Sequence, residues 1–220
     1  TFGVVAPLQS GPRFGRMSMK IEPATVAIRI VSGLSEIDRA AWDACANPGW
    51  AEPARPASQP NGTGPMPEPA PYNPFVAWDF LQALEQSGAV STRSGWTPRH
   101  LVLEGEHGPA AFAPCYLKSH SQGEYVFDWG WADAYERAGG RYYPKLQVSV
   151  PFTPVTGPRL LAGSAPGAAA RKRLLAAGLV ELCRRSGASS AHLTFLPEED
   201  CASLGEMAFL PRTDQQFHWV

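Results

Sequence analysis

Apolar positions recur along this chain with two periods, and the period changes mark its elements. Val26 to Val31 (VAIRIV) is a β-branched run of strand type, and Glu36 to Ala46 carries Ile37, Ala41, Trp42 and Cys45 at helical spacing. After Asn73, a capping residue, and Pro74, suited to a first helical position, Val76 to Ser87 puts Val76, Phe80, Ala83 and Leu84 on one helical face before Gly88 ends it. Arg99 to Glu104 and Ala110 to Lys118 flank Gly105-Glu106-His107-Gly108, turn-forming residue types that predict a β-hairpin. Tyr125 to Trp131 (YVFDWGW) fits a strand or a buried loop.

In the second half, Leu146 to Val150 reads as a strand, continued by Pro151-Phe152-Thr153-Pro154-Val155-Thr156-Gly157-Pro158-Arg159, whose prolines forbid a full ladder. The strand must splay or stop there. The small-residue loop Gly163 to Gly167 leads into Ala168 to Ser186, where Leu174, Leu175, Gly178, Leu179, Leu182 and Cys183 form the clearest amphipathic stripe in the chain. Gly187 stops that helix. Ala191 to Leu196 reads as a strand, Glu198 to Ala208 as a short helix and Gln215 to Trp219 as a last strand.

Two stretches lack either period. Residues 1–25 read as an unstructured leader, because Met17 and Met19 immediately precede the first patterned segment. Asn47 to Pro74 holds nine of the 22 prolines, so 47–72 reads as a flexible insertion between a first strand and helix (26–46) and the remainder of the domain (73–220). Composition narrows the class. With 44% hydrophobic and 18% charged residues and a formal charge of −1, the chain is globular and no basic nucleic-acid coat. No run of 18 apolar residues occurs, and Phe2 to Leu8 precedes Arg13 and Arg16, the reverse of a signal peptide, so a cytoplasmic protein without a membrane span is expected. Cys45, Cys115, Cys183 and Cys201 form no C-x-x-C pair and read as reduced core thiols, with no metal expected.

A strand that cannot complete its ladder leaves backbone groups free to pair with an amide-bearing ligand such as pantetheine. The loop ending at Gly167 opens a helix N-terminus followed by Arg171, Lys172 and Arg173, a setting that favours a pyrophosphate. Together these point to an acyl-CoA type of donor site. P-loop, G-x-G-x-x-G, H-E-x-x-H and G-x-S-x-G patterns are absent, so kinase, dinucleotide, zinc-hydrolase and serine-hydrolase readings lack their signatures. Five of the six tyrosines lie between Tyr116 and Phe152, interleaved with Lys118, His120, Glu124, Asp128 and Lys145. That mixture fits the wall of a cleft for an amine acceptor, which needs aromatic surfaces and a proton-transfer group. His192 and His218, each in a strand-like run, read as core or groove residues.

The segments NPFVAWDFLQALEQSG (73–88), GWTPRHLVLE (95–104), YLKSHSQGEYVFDWGWADAYERAGGRYYPKL (116–146), VPFTPVTGPRLL (150–161), HLTFL (192–196) and QQFHW (215–219) resemble the FemAB-like family of N-acyltransferases, the peptidoglycan biosynthesis/recognition proteins related to the GNAT superfamily. The resemblance implies an α+β, GNAT-like fold: a mixed, mostly antiparallel twisted sheet with splayed central strands, flanked by helices. Because such proteins usually continue past the QFHW segment, it also implies an N-terminal fragment. The implied function is transfer of an acyl or aminoacyl group to an amine, possibly on a cell-wall precursor. Acyl-CoA is the expected donor and aminoacyl-tRNA the alternative. A non-catalytic module recognising a peptidoglycan precursor or a protein partner is the competing reading.

On this reading Glu124 or His120 is the general base and Asp128 orients it. Lys118, Tyr142, Tyr143 and Lys145 shape the acceptor cleft. Backbone around Thr153, Val155, Thr156 and Gly157 aligns the donor, with Gly167 and Arg159 or Arg171 near its phosphates.

Overall fold

A computed structural model describes residues 2–7, 27–50, 71–126 and 128–213. The strand expected at 215–219 and most of the proline-rich segment, 51–70, lie outside the described residues. The described elements are, in order, β1 (Phe2–Pro7), β2 (Ile28–Val31), α1 (Arg39–Ala46), α2 (Trp78–Gln86), β3 (Trp96–Pro98), β4 (His100–Gly105), β5 (Gly108–Ala113), β6 (Cys115–Lys118), α3 (Trp129–Arg137), β7 (Lys145–Val148), α4 (Ala168–Ser186), β8 (Ser190–Leu196), α5 (Glu198–Gly205) and β9 (Leu210–Thr213). They build a six-stranded sheet, β3-β6-β7-β8-β1-β9, and a three-stranded sheet, β2-β4-β5. Every pairing is antiparallel except β7 with β8. This is a mixed α/β architecture with flanking helices, as expected.

Strand periodicity gives the large sheet two unlike faces. Cys115, Leu146, Val148, Ala191, Leu193 and Val4 point into a core shared with Leu175, Ala176, Leu179 and Cys183 of α4. Each fully buried leucine there contributes roughly 1.5–3 kcal/mol. A Cβ on Gly178 of α4 would come within 2.4 Å of Ile28 Cδ1, so glycine lets this helix lie close against the small sheet. The intervening strand positions, Tyr116, Lys118, Lys145, Gln147, Ser190 and His192, face the other way, and their burial sets up the site described below.

A second core joins α1 and α2 to the small sheet through Val31, Leu34, Trp42, Val76, Leu81, Val102 and Phe112. Several buried polar groups are matched across it. The Trp42 indole N–H donates to Val76 O at 2.8 Å, and Asp43 Oδ1, on α1, accepts from Trp78 N at 2.9 Å to cap α2 from outside its own segment. His100 Nδ1 accepts from Cys115 N, so its Nε2–H donates to Glu85 Oε1 at 2.7 Å, while Glu85 Oε2 accepts from Leu34 N. All four cysteines are free thiols, three of them buried.

Several expectations need correction. Phe2–Pro7, expected within an unstructured leader, is β1, held between β8 and β9, while residues 8–25 lie outside the described residues. The hairpin ends at Ala113, because Pro114 breaks the ladder and sends 115–118 to the other sheet as β6. The described residues of Tyr125 to Trp131 form no strand, and Phe127 lies outside them; α3 begins at Trp129 and exposes its aromatic residues. Asn73 caps a 3-10 turn, Pro74–Val76, and α2 starts later, at Trp78.

Asn47, buried, brackets the backbone of Asn73: its Oδ1 accepts from Asn73 N at 2.8 Å and its Nδ2 donates to Asn73 O at 3.1 Å. Asn47→Ala leaves both backbone groups unpaired and is expected to lower stability by about 1–3 kcal/mol in urea denaturation.

Candidate functional site

Strand register creates the electrostatic problem at the centre of the molecule. Lys118 of β6 and Lys145 of β7 are directly opposed on one face, both essentially without solvent exposure. Like charges in that relation repel, and neither has water to screen it. The chain between β6 and α3 supplies the answer. It carries Ser121, Glu124 and Asp128 back over the sheet, all buried.

Lys145 Nζ lies 2.6 Å from Asp128 Oδ2, 2.8 Å from Glu124 Oε2 and 2.9 Å from Ser121 Oγ. Asp128 Oδ2 also accepts from Tyr142 Oη at 2.7 Å and from Ser121 Oγ at 2.9 Å. Because Ser121 gives its proton to Asp128, Tyr143 Oη must donate to Ser121 Oγ, 2.8 Å away. Burial pushes the Asp128 carboxyl up, but Lys145 together with Tyr142 and Ser121 holds it below the ordinary aspartate value, so it stays ionised. Glu124 has only Lys145 as a close donor, and burial prevails: its pKa is raised. The two carboxylates are thus driven apart in protonation, the pattern that separates acid from base roles.

Lys118 is held differently. Its Nζ sits 3.5 Å from the centroid of the Trp96 ring, donates to Gln122 O at 3.1 Å and lies 4.0 Å from Glu124 Oε1. Burial pulls its pKa down to about 7 against the opposing pull of Glu124. His120 stands apart from this cluster. Its ring packs over Gly95, where no Cβ would fit, and Nδ1 accepts from Gln122 N at 3.2 Å. The structure therefore brings together Glu124, Asp128, Lys118, Tyr142, Tyr143 and Lys145 but not His120.

Beside the cluster is a cavity of about 460 Å³, open to solvent. Trp131 and Tyr135 of α3, Tyr142, Val5 of β1, Ser189, Ser190 and His192 at β8, and Leu210 to Arg212 of β9 line it. Tyr142 belongs to both: its ring is a cavity wall and its hydroxyl is bound to Asp128. Of the residues expected to shape the acceptor cleft, Tyr142 alone lines this cavity; Lys118, Tyr143 and Lys145 do not, nor do Glu124, Asp128 and His120. Ser190 and His192 were not among the expected site residues. Their i,i+2 spacing in a strand, which puts both on one face, was the available signal.

The expected donor-binding residues are arranged otherwise than the sequence reading required. β7 and β8 do part after Val148 and Leu193, as the prolines dictate. The carbonyls beyond that point, however, are taken by the chain itself: Gly157 N–H donates to Phe195 O and Arg159 Nε–H to Thr194 O, both at 3.0 Å. Arg159 is completely buried, and its remaining donors go to the carbonyls of Val155, Gly157 and Pro158. Arg171 is folded onto the carbonyls of Ala162, Ala165 and Pro166, and Gly167, with φ +84°, turns that loop into α4. Neither guanidinium fits a role at a donor pyrophosphate. Thr153 and Val155 are half-buried and Thr156 exposed on the outside of the same loop. No group of three or more His, Cys, Asp or Glu side chains among the described residues is placed to hold a metal ion. No helix among them is long and apolar enough to cross a membrane.

The chain belongs to the FemAB-like family, described as peptidoglycan biosynthesis/recognition, whose model matches residues 33–220. No curated protein and no solved structure matches it.

The two lysines predict responses of unequal size. Lys145→Met strands two buried carboxylates and is expected to cost about 3–5 kcal/mol, whereas Lys118→Met is expected to cost about 1 kcal/mol or less at pH 7. Between about 7 and the free-lysine value of 10.5 the unfolded chain binds a proton at Lys118 that the folded chain does not, so this residue makes stability rise with pH across that window. Urea midpoints of wild type and Lys118→Met, measured from pH 7 to 10, should show that component of the rise in the first and its loss in the second.

Proposed function

We propose that this protein transfers an acyl or aminoacyl group from an ester- or thioester-linked carrier to an amine, with a peptidoglycan precursor as the acceptor. The observation that carries this reading is Tyr142, a cavity wall whose hydroxyl is bound to a buried, ionised aspartate. Amide formation needs an amine oriented against a carbonyl and relieved of a proton, in a site that keeps water away. A preorganised, hydrogen-bonded cluster behind an aromatic wall supplies fixed dipoles for that step without rearranging during it. Family membership supports the same chemistry and the cell-wall acceptor. The parallel β7–β8 pair, parted beyond Val148 with α4 between the strands in sequence, supports a GNAT-like sheet. On this reading the carrier is acyl-CoA or aminoacyl-tRNA and the reaction is cytoplasmic.

One observation favours a second reading. Arg159 and Gly157 occupy the carbonyls that a pantetheine arm would pair with, which suits a recognition module that keeps the fold without the acyl-CoA site. An aminoacyl-tRNA donor is compatible with the same closure.

The deciding assay incubates the protein with labelled acyl-CoA or aminoacyl-tRNA and an amine-bearing muropeptide precursor, followed by mass spectrometry of the products. A new amide is expected with one donor class. Tyr142→Phe, which removes a hydrogen bond to the buried Asp128 carboxylate, should lower turnover on the order of 10-fold or more when assayed well below unfolding, with a fall of only a few degrees in melting temperature. Binding of the precursor without amide formation from any donor would establish the recognition module instead.

A further inference from the structure

Four polar groups on the floor of the cavity form a hydrogen-bond chain with a fixed direction. Ser189 Oγ is bonded to Tyr142 O, a carbonyl that can only accept, so the Ser189 proton is committed there. Ser189 Oγ then has only lone pairs left for Ser190 Oγ, 3.2 Å away, and takes the Ser190 proton. Ser190 Oγ in turn faces His192 Nε2 at 2.7 Å with a lone pair, which requires the ring proton to sit on Nε2. The opposite orientation, with Ser190 donating to His192, would set a lone pair of Ser190 Oγ against a lone pair of Ser189 Oγ. The relay therefore selects the tautomer with a bare Nδ1. That Nδ1 makes no hydrogen bond to the described residues, and His192 lines the cavity.

The roof above this floor is incomplete. α3 buries none of its residues: Trp131 is 67% exposed and Tyr135 45%, although both line the cavity. An amphipathic helix normally offsets its ordering by burying one face. Here the apolar surface that would do so borders open space of a size suited to a small ligand, within the roughly 300–1,000 Å³ of such sites.

We infer that the cavity beneath α3 is the site of the acceptor amine, bound through its N–H to His192 Nδ1, with the adjoining apolar part of the acceptor held between Trp131, Tyr135 and Leu210. Ser190 and Ser189 are positioning residues that fix the ring. The inference rests on the transfer reading for its catalytic consequence alone. In transfer, the neutral amine nitrogen attacks the carrier-linked carbonyl and the C–N bond forms as the C–O or C–S bond to the carrier breaks. The amine proton passes to His192 Nδ1, and the resulting imidazolium returns it to the departing alkoxide or thiolate. Burial, then Lys145, hold the His192 pKa well below the ordinary imidazole value, with Arg212 acting in the same direction and Asp128 against them. The ring is thus unprotonated at neutral pH and readily gives up a proton it has gained.

The test uses phenethylamine as the probe and ¹⁵N-histidine-labelled protein, with no donor present. At pH 7 the long-range ¹H–¹⁵N spectrum should show the Nε2–H tautomer for His192, and phenethylamine at pH 9 should shift its Nδ1 resonance. Ser190→Ala should mix the tautomers while leaving the melting temperature within a few degrees. His192→Gln should weaken phenethylamine binding by calorimetry about 10-fold or more. An Nδ1–H tautomer or an imidazolium at pH 7 would overturn the inference, as would equal amine affinity in wild type and His192→Gln. Amine binding as described, with no amide formed in the transfer assay, upholds the site and removes the transferase reading.

Discussion

The ammonium of Lys145 is the constraint around which the centre of this molecule is arranged. It lies at the meeting point of two carboxylates and a serine hydroxyl, on a strand whose partner holds a second lysine directly opposite. Without Glu124 and Asp128 two buried cations would face each other across one strand spacing. Without Lys145 the carboxylates would be stranded in turn. The loop from Ser121 to Asp128 is therefore tied to the sheet by charge more than by apolar burial, and α3 begins where that loop ends. Buried ion pairs of this type contribute little net stability but are strongly destabilising when broken, which fits a cluster kept for position and not for strength.

Position is also what links the cluster to chemistry. Tyr142 transmits it: the hydroxyl is fixed by Asp128, the ring forms a wall of the cavity, and the ring edge approaches His192 with centroids 6.1 Å apart. The same sheet face thus carries a charged, sealed half and a neutral, open half with one tyrosine between them. Beyond the end of the β7–β8 pairing lies the guanidinium of Arg159, which bonds to four carbonyls and ties β8 to the loop after β7. An interior arginine with its donors satisfied by backbone serves as a cross-brace, and it moves the question of donor binding away from the gap itself.

Much of this was legible in the sequence where one physical signal dominated. α4 matched its expected bounds because a 19-residue amphipathic stripe between two glycines admits no other reading. The prolines at 151, 154 and 158 correctly required β7 and β8 to part. The aromatic and charged block from Tyr116 to Phe152 did fold its lysines, carboxylates and tyrosines into one cluster, since charges interleaved with tyrosines in a buried segment need one another. What failed depended on long-range partners. Nothing local distinguishes an arginine that binds phosphate from one that binds carbonyls 35 residues away, as Arg159 does with Thr194. The strand Phe2–Pro7 gains its stability from β8, almost the whole chain length distant, and α3 is a helix whose aromatic face is unburied, so burial-based pattern reading mistook it for a strand or loop. His192 was read as core or groove because its open nitrogen is a property of the Ser189–Ser190 relay, invisible until the strand is folded.

The most direct measurement is a crystal structure of the protein soaked with its amine acceptor. The ligand should lie between α3 and the β8 floor, its nitrogen within hydrogen-bond distance of His192 Nδ1, with Lys145 still bridging Glu124 and Asp128 behind Tyr142. A ligand seated elsewhere, or a cavity closed by Trp131 and Tyr135 packed onto the sheet, would contradict it.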